Sequence, residues 1–288
     1  MYKRQPYKDF IYVAGDFNFW SPTSEYAMKK DSTSDRFWLE IEGLEPGEIY
    51  TYQYWVSDLS PIDESPSLVK TADPFSTMVL SPFDDPWIPE TSYPNLPEYP
   101  YDFGIEREVT VLKTGQEPYN WQVEDFEKPK EEDLIIYEVL IRDFDSERTF
   151  QNLIDRIDYF KDLNINAIEL MPVMEYEGNE SWGYNTAFHM SVDKFYGPEE
   201  KLKEFIDLCH QNGIAVIFDL VMNHVMGRSP MNRMWMNDPD GNGWGEPSEE
   251  SPYFNEIATH SYGLGNDFNH QSSYTQYYTQ RVVKHWIE

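Results

Sequence analysis

The chain has 288 residues, with 52 acidic against 22 basic side chains and a formal net charge of -30. A field of that sign repels phosphate backbones and anionic lipid heads, which argues against nucleic-acid binding and peripheral membrane binding and leaves neutral or cationic substrates open. The 40% hydrophobic share is globular, no apolar run is long enough to be a membrane-spanning segment, and a single cysteine, Cys209, excludes an intrachain disulfide and a thiolate-rich zinc site.

Residues 1–6 contain no apolar signal core, and the compartment stays open. Between residues 7 and 60, short aromatic and β-branched runs alternate with turns. Phe10-Ile-Tyr-Val13 is predicted as a strand and Gly15-Asp-Phe-Asn18 as a turn. Arg36-Phe-Trp-Leu-Glu-Ile41 is a half-buried strand, followed by the turn Gly43-Leu-Glu-Pro-Gly47. Ile49-Tyr-Thr-Tyr-Gln-Tyr-Trp-Val56 has the strongest strand pattern. Together these predict a small antiparallel β-sandwich over residues 1–75, with fewer strands than the roughly seven of a complete immunoglobulin-like domain. Residues 61–133 hold 11 of the 20 prolines, so segments such as Ser81-Pro-Phe-Asp-Asp-Pro-Trp-Ile-Pro89 cannot form long ladders or helices. Aromatics interleaved with the prolines predict an ordered connector over residues 76–133.

Residues 134–288 change character. Three apolar strands are expected, at 134–141, 164–171 and 214–221. Thr149 can cap a helix whose inner face is Leu153, Ile154, Ile157 and Phe160. Pro198 suits the first turn of a second helix, faced by Leu202, Phe205, Ile206 and Cys209 and closed by Gly213. A long polar loop is expected over residues 222–272, then a helix from Ser273 with Tyr274, Tyr278, Val282 and Trp286 on one stripe. Alternating strands and helices imply parallel strands with crossover helices, a pattern shared by open doubly wound sheets and (β/α) barrels.

Several motifs carry a resemblance. Asp219-Leu-Val-Met-Asn223-His224, Ile168-Glu-Leu-Met-Pro172-Val173, Trp182-Gly-Tyr184-Asn185 with Phe195-Tyr-Gly197, and Gly265-Asn-Asp267-Phe-Asn269 occur in the order found in the alpha-amylase superfamily, glycoside hydrolase family 13. Val13-Ala-Gly15-Asp16-Phe-Asn18-Phe-Trp20 resembles the core of a family 48 carbohydrate-binding module. The resemblance implies a β-sandwich followed by the first three β/α units of a (β/α)8 TIM barrel, incomplete within this chain. It also implies an alpha-glucan partner and retaining, alpha-amylase-like hydrolysis. Debranching and glucan branching are alternatives within the family, and a non-catalytic glycan-binding protein is the alternative outside it. The catalytic carboxylates of the family follow barrel strands four, five and seven, so the resemblance places none of them in residues 1–288. A retaining pair needs two carboxyl groups about 5 Å apart across the sugar, and none is assigned here.

The same resemblance implies roles for individual residues. Tyr184 would be the aromatic floor beneath the sugar, and His224 a hydrogen-bonding partner of its hydroxyls. Asp219 would support the site from inside strand three; as a buried carboxylate it needs a partner, for which Arg142 is a candidate. Asn223 and Asp267 match positions that bind calcium in many family members, although calcium takes six to eight oxygens. Trp20 is the candidate sugar platform of the first domain, ahead of Trp38 and Tyr54. Asn237-Asp-Pro-Asp-Gly-Asn-Gly243 lacks the terminal Glu of a calcium loop and is expected to be a glycine-rich turn.

Overall fold

In the computed structural model, which describes residues 2–4, 8–31, 33–34, 36–261 and 263–288, the first part of the chain forms two antiparallel sheets. Their strands, in chain order, are β1 (Tyr2–Arg4), β2 (Phe10–Gly15), β3 (Lys29–Lys30), β4 (Arg36–Trp38), β5 (Ile49–Ser57), β6 (Leu68–Thr71), β7 (Val79–Leu80) and β8 (Val109–Lys113). One sheet has the order β1-β4-β3; in the other, β5 is central and pairs with β2, β6 and β8, and β7 adds beyond β8. The alternation within β5 explains its position. Tyr52, Tyr54 and Val56 enter one core with Ile11, Val13 and Phe37, while Trp55 packs on the opposite face against Trp20, Leu80, Tyr99 and Val109.

Strands β7 and β8 lie in the stretch expected to be a connector. The sheet centred on β5 therefore continues to Lys113, well beyond residue 75. Proline density hid the five-residue Val109–Lys113 run, because the prolines occupy the crossings between strands rather than the strands themselves.

The second part contains strands β9 (Ile136–Val139), β10 (Ala167–Leu170), β11 (Met174–Tyr176), β12 (Thr186–Val192), β13 (Ala215–Phe218), β14 (His224–Val225) and β15 (Asn266–Asp267). Its helices are α1 (Ile141–Phe144), α2 (Phe150–Asp155), α3 (Ile157–Asp162), α4 (Glu199–Gln211), α5 (Pro230–Arg233) and α6 (Ser273–Ile287). Strands β9, β10 and β13 form a parallel sheet in that order, with Ala167 opposite both Ile136 and Ala215. Thr149 caps α2 by accepting the Asn152 amide, and the backbone at Arg156 separates α2 from α3. Pro198 is the N-cap of α4, and Gly213 has φ +72 just beyond its C-cap. Leu202, Phe205 and Cys209 of α4 are buried against Ile168 and Leu170 of β10. Burial of each of the two larger side chains is worth roughly 1.5–3 kcal/mol.

Two features were not anticipated. After β10 the chain makes a β11–β12 hairpin whose second strand is buried along its full length, with polar Thr186, His189 and Ser191 included. The region 222–272 is also not a polar loop. It buries Met231, Met234, Trp235, Tyr253, Phe254 and Phe268 in one cluster with Ile11, Val13 and Tyr54 of the N-terminal sheets and Tyr278 and Val282 of α6. These apolar residues follow neither helical nor strand period, so only packing reveals them as core.

Candidate functional site

The parallel strands end at Val139, Leu170 and Phe218, and the candidate residues gather just beyond these ends. In barrels of parallel strands this is the side on which loops form sites. The tip of the β11–β12 hairpin carries Tyr184 back toward Asp219, which follows β13. The Tyr184 hydroxyl donates to Asp219 Oδ2 at 2.6 Å. The Tyr184 carbonyl accepts from His224 Nε2 at 2.7 Å, which requires the proton on Nε2. Tyr184 is thus held at both ends, by its hydroxyl and by its backbone, from residues that follow one strand.

Two glycines permit this approach. A Cβ on Gly183 (φ +92) would sit 2.4 Å from the Pro172 carbonyl oxygen; one on Gly265 (φ +62) would sit 2.6 Å from His224 Cδ2. The second contact lies beside the β14–β15 ladder, which pairs His224 with Asp267.

Electrostatics follow from burial. His224 is only 2% exposed. Burial pushes its pKa below the usual histidine value, and the hydrogen bond to the Tyr184 carbonyl opposes this only in part. The imidazole is therefore neutral at neutral pH, and its Nδ1 lone pair has no hydrogen-bond partner. Tyr184 is pushed up to about 12 by burial first, then by its bond to Asp219, with the charges of Glu138 and Glu169 adding to the effect. These two glutamates are register partners on β10 and β9 and so project from the same face of the parallel sheet. They were missed in the sequence, although a glutamate in the middle of each of two apolar strands was a readable signal.

The family description "Alpha amylase, catalytic domain" matches residues 143–286. The chain belongs to the alpha-amylase family. Among relatives of this family member, the malto-oligosyltrehalose trehalohydrolase of Saccharolobus solfataricus is 33% identical over 170 residues, covering 59% of this chain and 28% of that protein. The corresponding enzyme of Mycobacterium tuberculosis is 40% identical over 94 residues, covering 33% of this chain and 16% of its own. The 1,4-alpha-glucan branching enzyme GlgB of Bacillus subtilis is 28% identical over 234 residues, covering 76% and 32%. The chain thus spans less than a third of the length of each of these relatives. A crystal structure from Salmonella typhimurium described as an alpha amylase superposes with a TM-score of 0.70 at 18% identity, covering 100% of this chain and 39% of that one. The alpha-amylase fold is therefore shared well beyond sequence similarity.

Other expected residues of this alpha-amylase family chain fall differently. Arg142, in α1, is not the partner of Asp219. It turns to its neighbour Asp143, with Nε–Oδ1 at 2.7 Å, and Tyr184 takes the place expected for it. Trp20 is not a surface platform. It is 5% exposed and packs with Ala14, Leu80, Tyr99 and Val109. Left-handed backbone at Phe19 and Trp20 (φ 52 and 57) reverses the chain, and the indole donates to Asp16, whose other oxygen accepts the Thr51 amide of β5. The Gly-Asp…Trp motif is therefore a structural lock. Tyr54 is also core, with its hydroxyl on Asp73, and Trp38 lies beneath Lys29.

Asn223 and Asp267 do approach one another, since the Phe268 amide donates to the Asn223 carbonyl. The Asp267 carboxylate, however, is directed at protein donors. Its Oδ2 accepts from Thr259 N, Thr259 Oγ1 and Asn255 Nδ2 at 2.8–2.9 Å. Burial would raise its pKa, but these bonds outweigh it and hold the carboxyl below the usual range. Among the described residues no three His, Cys, Asp or Glu side chains are grouped to hold a metal. A cation held by Asp267 would have to displace the Thr259 and Asn255 donors from its carboxylate. Asp238 in the segment 237–243 accepts the Asn242 and Gly243 amides, as a turn residue does. Among the described residues no helix is long and apolar enough to cross a membrane.

Proposed function

We propose that the protein carrying this chain acts on alpha-glucans by retaining hydrolysis of alpha-glycosidic bonds. The observation that carries this reading is Tyr184 held between Asp219 and His224 beyond the ends of three parallel strands, in a chain of the alpha-amylase family. A fixed aromatic ring with a neutral imidazole close by suits an uncharged sugar, whose C–H face packs on the ring and whose hydroxyls need donors and acceptors. We read β9, β10 and β13 as the first three strands of a (β/α)8 barrel, and the N-terminal sheets as a carbohydrate-binding-module-like sandwich. Parallel order and the position of the site support the first reading; the core shared by Phe37, Ile11 and Tyr54 supports the second. Within 1–288 no nucleophile or acid/base is assigned.

The relatives favour two further chemistries on the same substrate class. Trehalohydrolases include the more identical matches, and the branching enzyme of Bacillus subtilis matches more of this chain. Incubating the full natural chain with maltoheptaose, glycogen and a malto-oligosyltrehalose separates the chemistries by product. New reducing ends indicate hydrolysis, free trehalose indicates trehalohydrolysis, and new alpha-1,6 branches indicate transfer. Tyr184→Ala should depress whichever activity is found. Unchanged turnover on all three in that variant would remove Tyr184 from the site and the reading with it.

A further inference from the structure

Away from Tyr184, residues 81–87 cross the base of the β11–β12 hairpin. Lys194 Nζ is bonded there to Glu175 and lies 3.2 Å from Asp85 Oδ1; the Lys194, Glu175 and Asp85 side chains are 2%, 6% and 8% exposed. Asp193 is buried beside them and accepts the Tyr176 and Phe195 amides at 3.3 and 3.0 Å. Glu175 also accepts the Lys194 amide, and Asp85 the Ser81 amide.

Three carboxyl groups and one ammonium share this buried volume. Fully ionised, it would hold two uncompensated negative charges in low dielectric, and buried groups in that position take up a proton instead. Among the described residues no second cation is paired with these carboxyl groups. Arg228 is bonded to Asp84 and 3.8 Å from Glu108, both of them acids. The groups around the cluster include Asp84, whose charge raises Asp85 further, and the phenols of Tyr93, Tyr176 and Tyr196, all of which burial raises, with Glu199 and Glu200 acting on Tyr93 and Arg142 on Tyr196.

We propose that Glu175, Asp85 and Asp193 share a proton at neutral pH, forming a proton-dependent clamp that ties residues 81–87 to the base of the hairpin presenting Tyr184. The clamp belongs to the three acids jointly rather than to one of them. Burial pushes Glu175 up to about 7 against the pull of Lys194, and it raises Asp85 and Asp193 as well. The sign follows. A carboxyl whose folded pKa lies above its unfolded value binds more protons in the closed form, so opening releases a proton. The clamp is tightest below the ordinary glutamate value of 4.5 and weakens as pH rises through about 7.

The experiment is hydrogen exchange on the full natural chain, followed by mass spectrometry on peptides covering 81–87 and 174–195. With rates corrected for intrinsic base catalysis, the opening equilibrium should rise roughly tenfold per pH unit between about pH 5 and pH 7 and then level off. Glu175→Gln keeps the shape but removes one acid, and it should flatten the slope; Asp85→Asn should do the same. Titration elsewhere in the chain is common to all three proteins and cancels in the comparison. Wild type with no slope, a slope of opposite sign, or variants that keep the full slope would each overturn the proposal. Should Glu175→Gln fail to fold, the wild-type slope and Asp85→Asn decide it.

Discussion

Removing the Tyr184 hydroxyl tests the site at its best-defined contact. Tyr184→Phe retains the ring and deletes only the donor to Asp219, a 2.6 Å bond. A hydrogen bond to a charged acceptor contributes about 1.5–3 kcal/mol. Asp219 is half-buried, so water can partly replace the lost donor, and the expected cost lies near the lower end, about 1.5 kcal/mol. That is roughly tenfold in an equilibrium or a rate. The phenol, with its pKa near 12, remains a donor throughout the neutral range, so the cost should not vary with pH there. The assay is a double-mutant cycle of Tyr184→Phe and Asp219→Ala in the full natural chain, read by urea unfolding and by kcat/KM on a maltooligosaccharide. If the two side chains act through one bond, the double variant should cost about as much as either single one, with a coupling of about 1–2 kcal/mol. Effects that add to within about 0.5 kcal/mol would refute the linkage between Tyr184 and Asp219.

Three further outcomes are expected. His224→Ala leaves the part-buried Tyr184 carbonyl without its donor, so it should lower stability by about 1 kcal/mol as well as kcat/KM; lost turnover with an unchanged Tm would place His224 on the substrate alone. Trp20→Ala should destabilise by about 3–5 kcal/mol as a core deletion, and glucan affinity of the folded variant in affinity electrophoresis should be unchanged. Chelation should leave Tm unaltered to within about 1 °C, and a rise of several degrees on adding calcium would show that Asp267 abandons Thr259 and Asn255 for the ion.

Much of the architecture was legible because it rests on local rules. Thr149, Pro198 and Gly213 mark helix ends through hydrogen-bonding and backbone preferences that act within a few residues. The apolar runs around 136–139, 167–170 and 215–218 announce strands covered on both faces, although each strand is shorter than its run because pairing stops where register partners end. Of the candidate site, Tyr184, Asp219 and His224 were singled out through motif, but their mutual bonding was not legible, since residues 35 and 40 apart in sequence meet only when the hairpin folds back over β13.

The amino-acid order by itself determined the succession of the three parallel strands and their crossover helices, the excess of negative charge and the family motifs, because each depends on composition or on neighbours along the chain. Tertiary structure alone decided where side chains with two possible fates went. Trp20 could stack on a sugar or fill a core, and Asp16 with the left-handed turn sent it inward. Arg142 could have served Asp219, but Asp143 lies beside it and Tyr184 is closer to hand. Asp85 and Lys194 are 109 positions apart and are brought together only by packing, and their burial with Glu175 and Asp193 makes protonation matter. Burial and long-range pairing set these outcomes, and neither is a property of a residue's sequence neighbours.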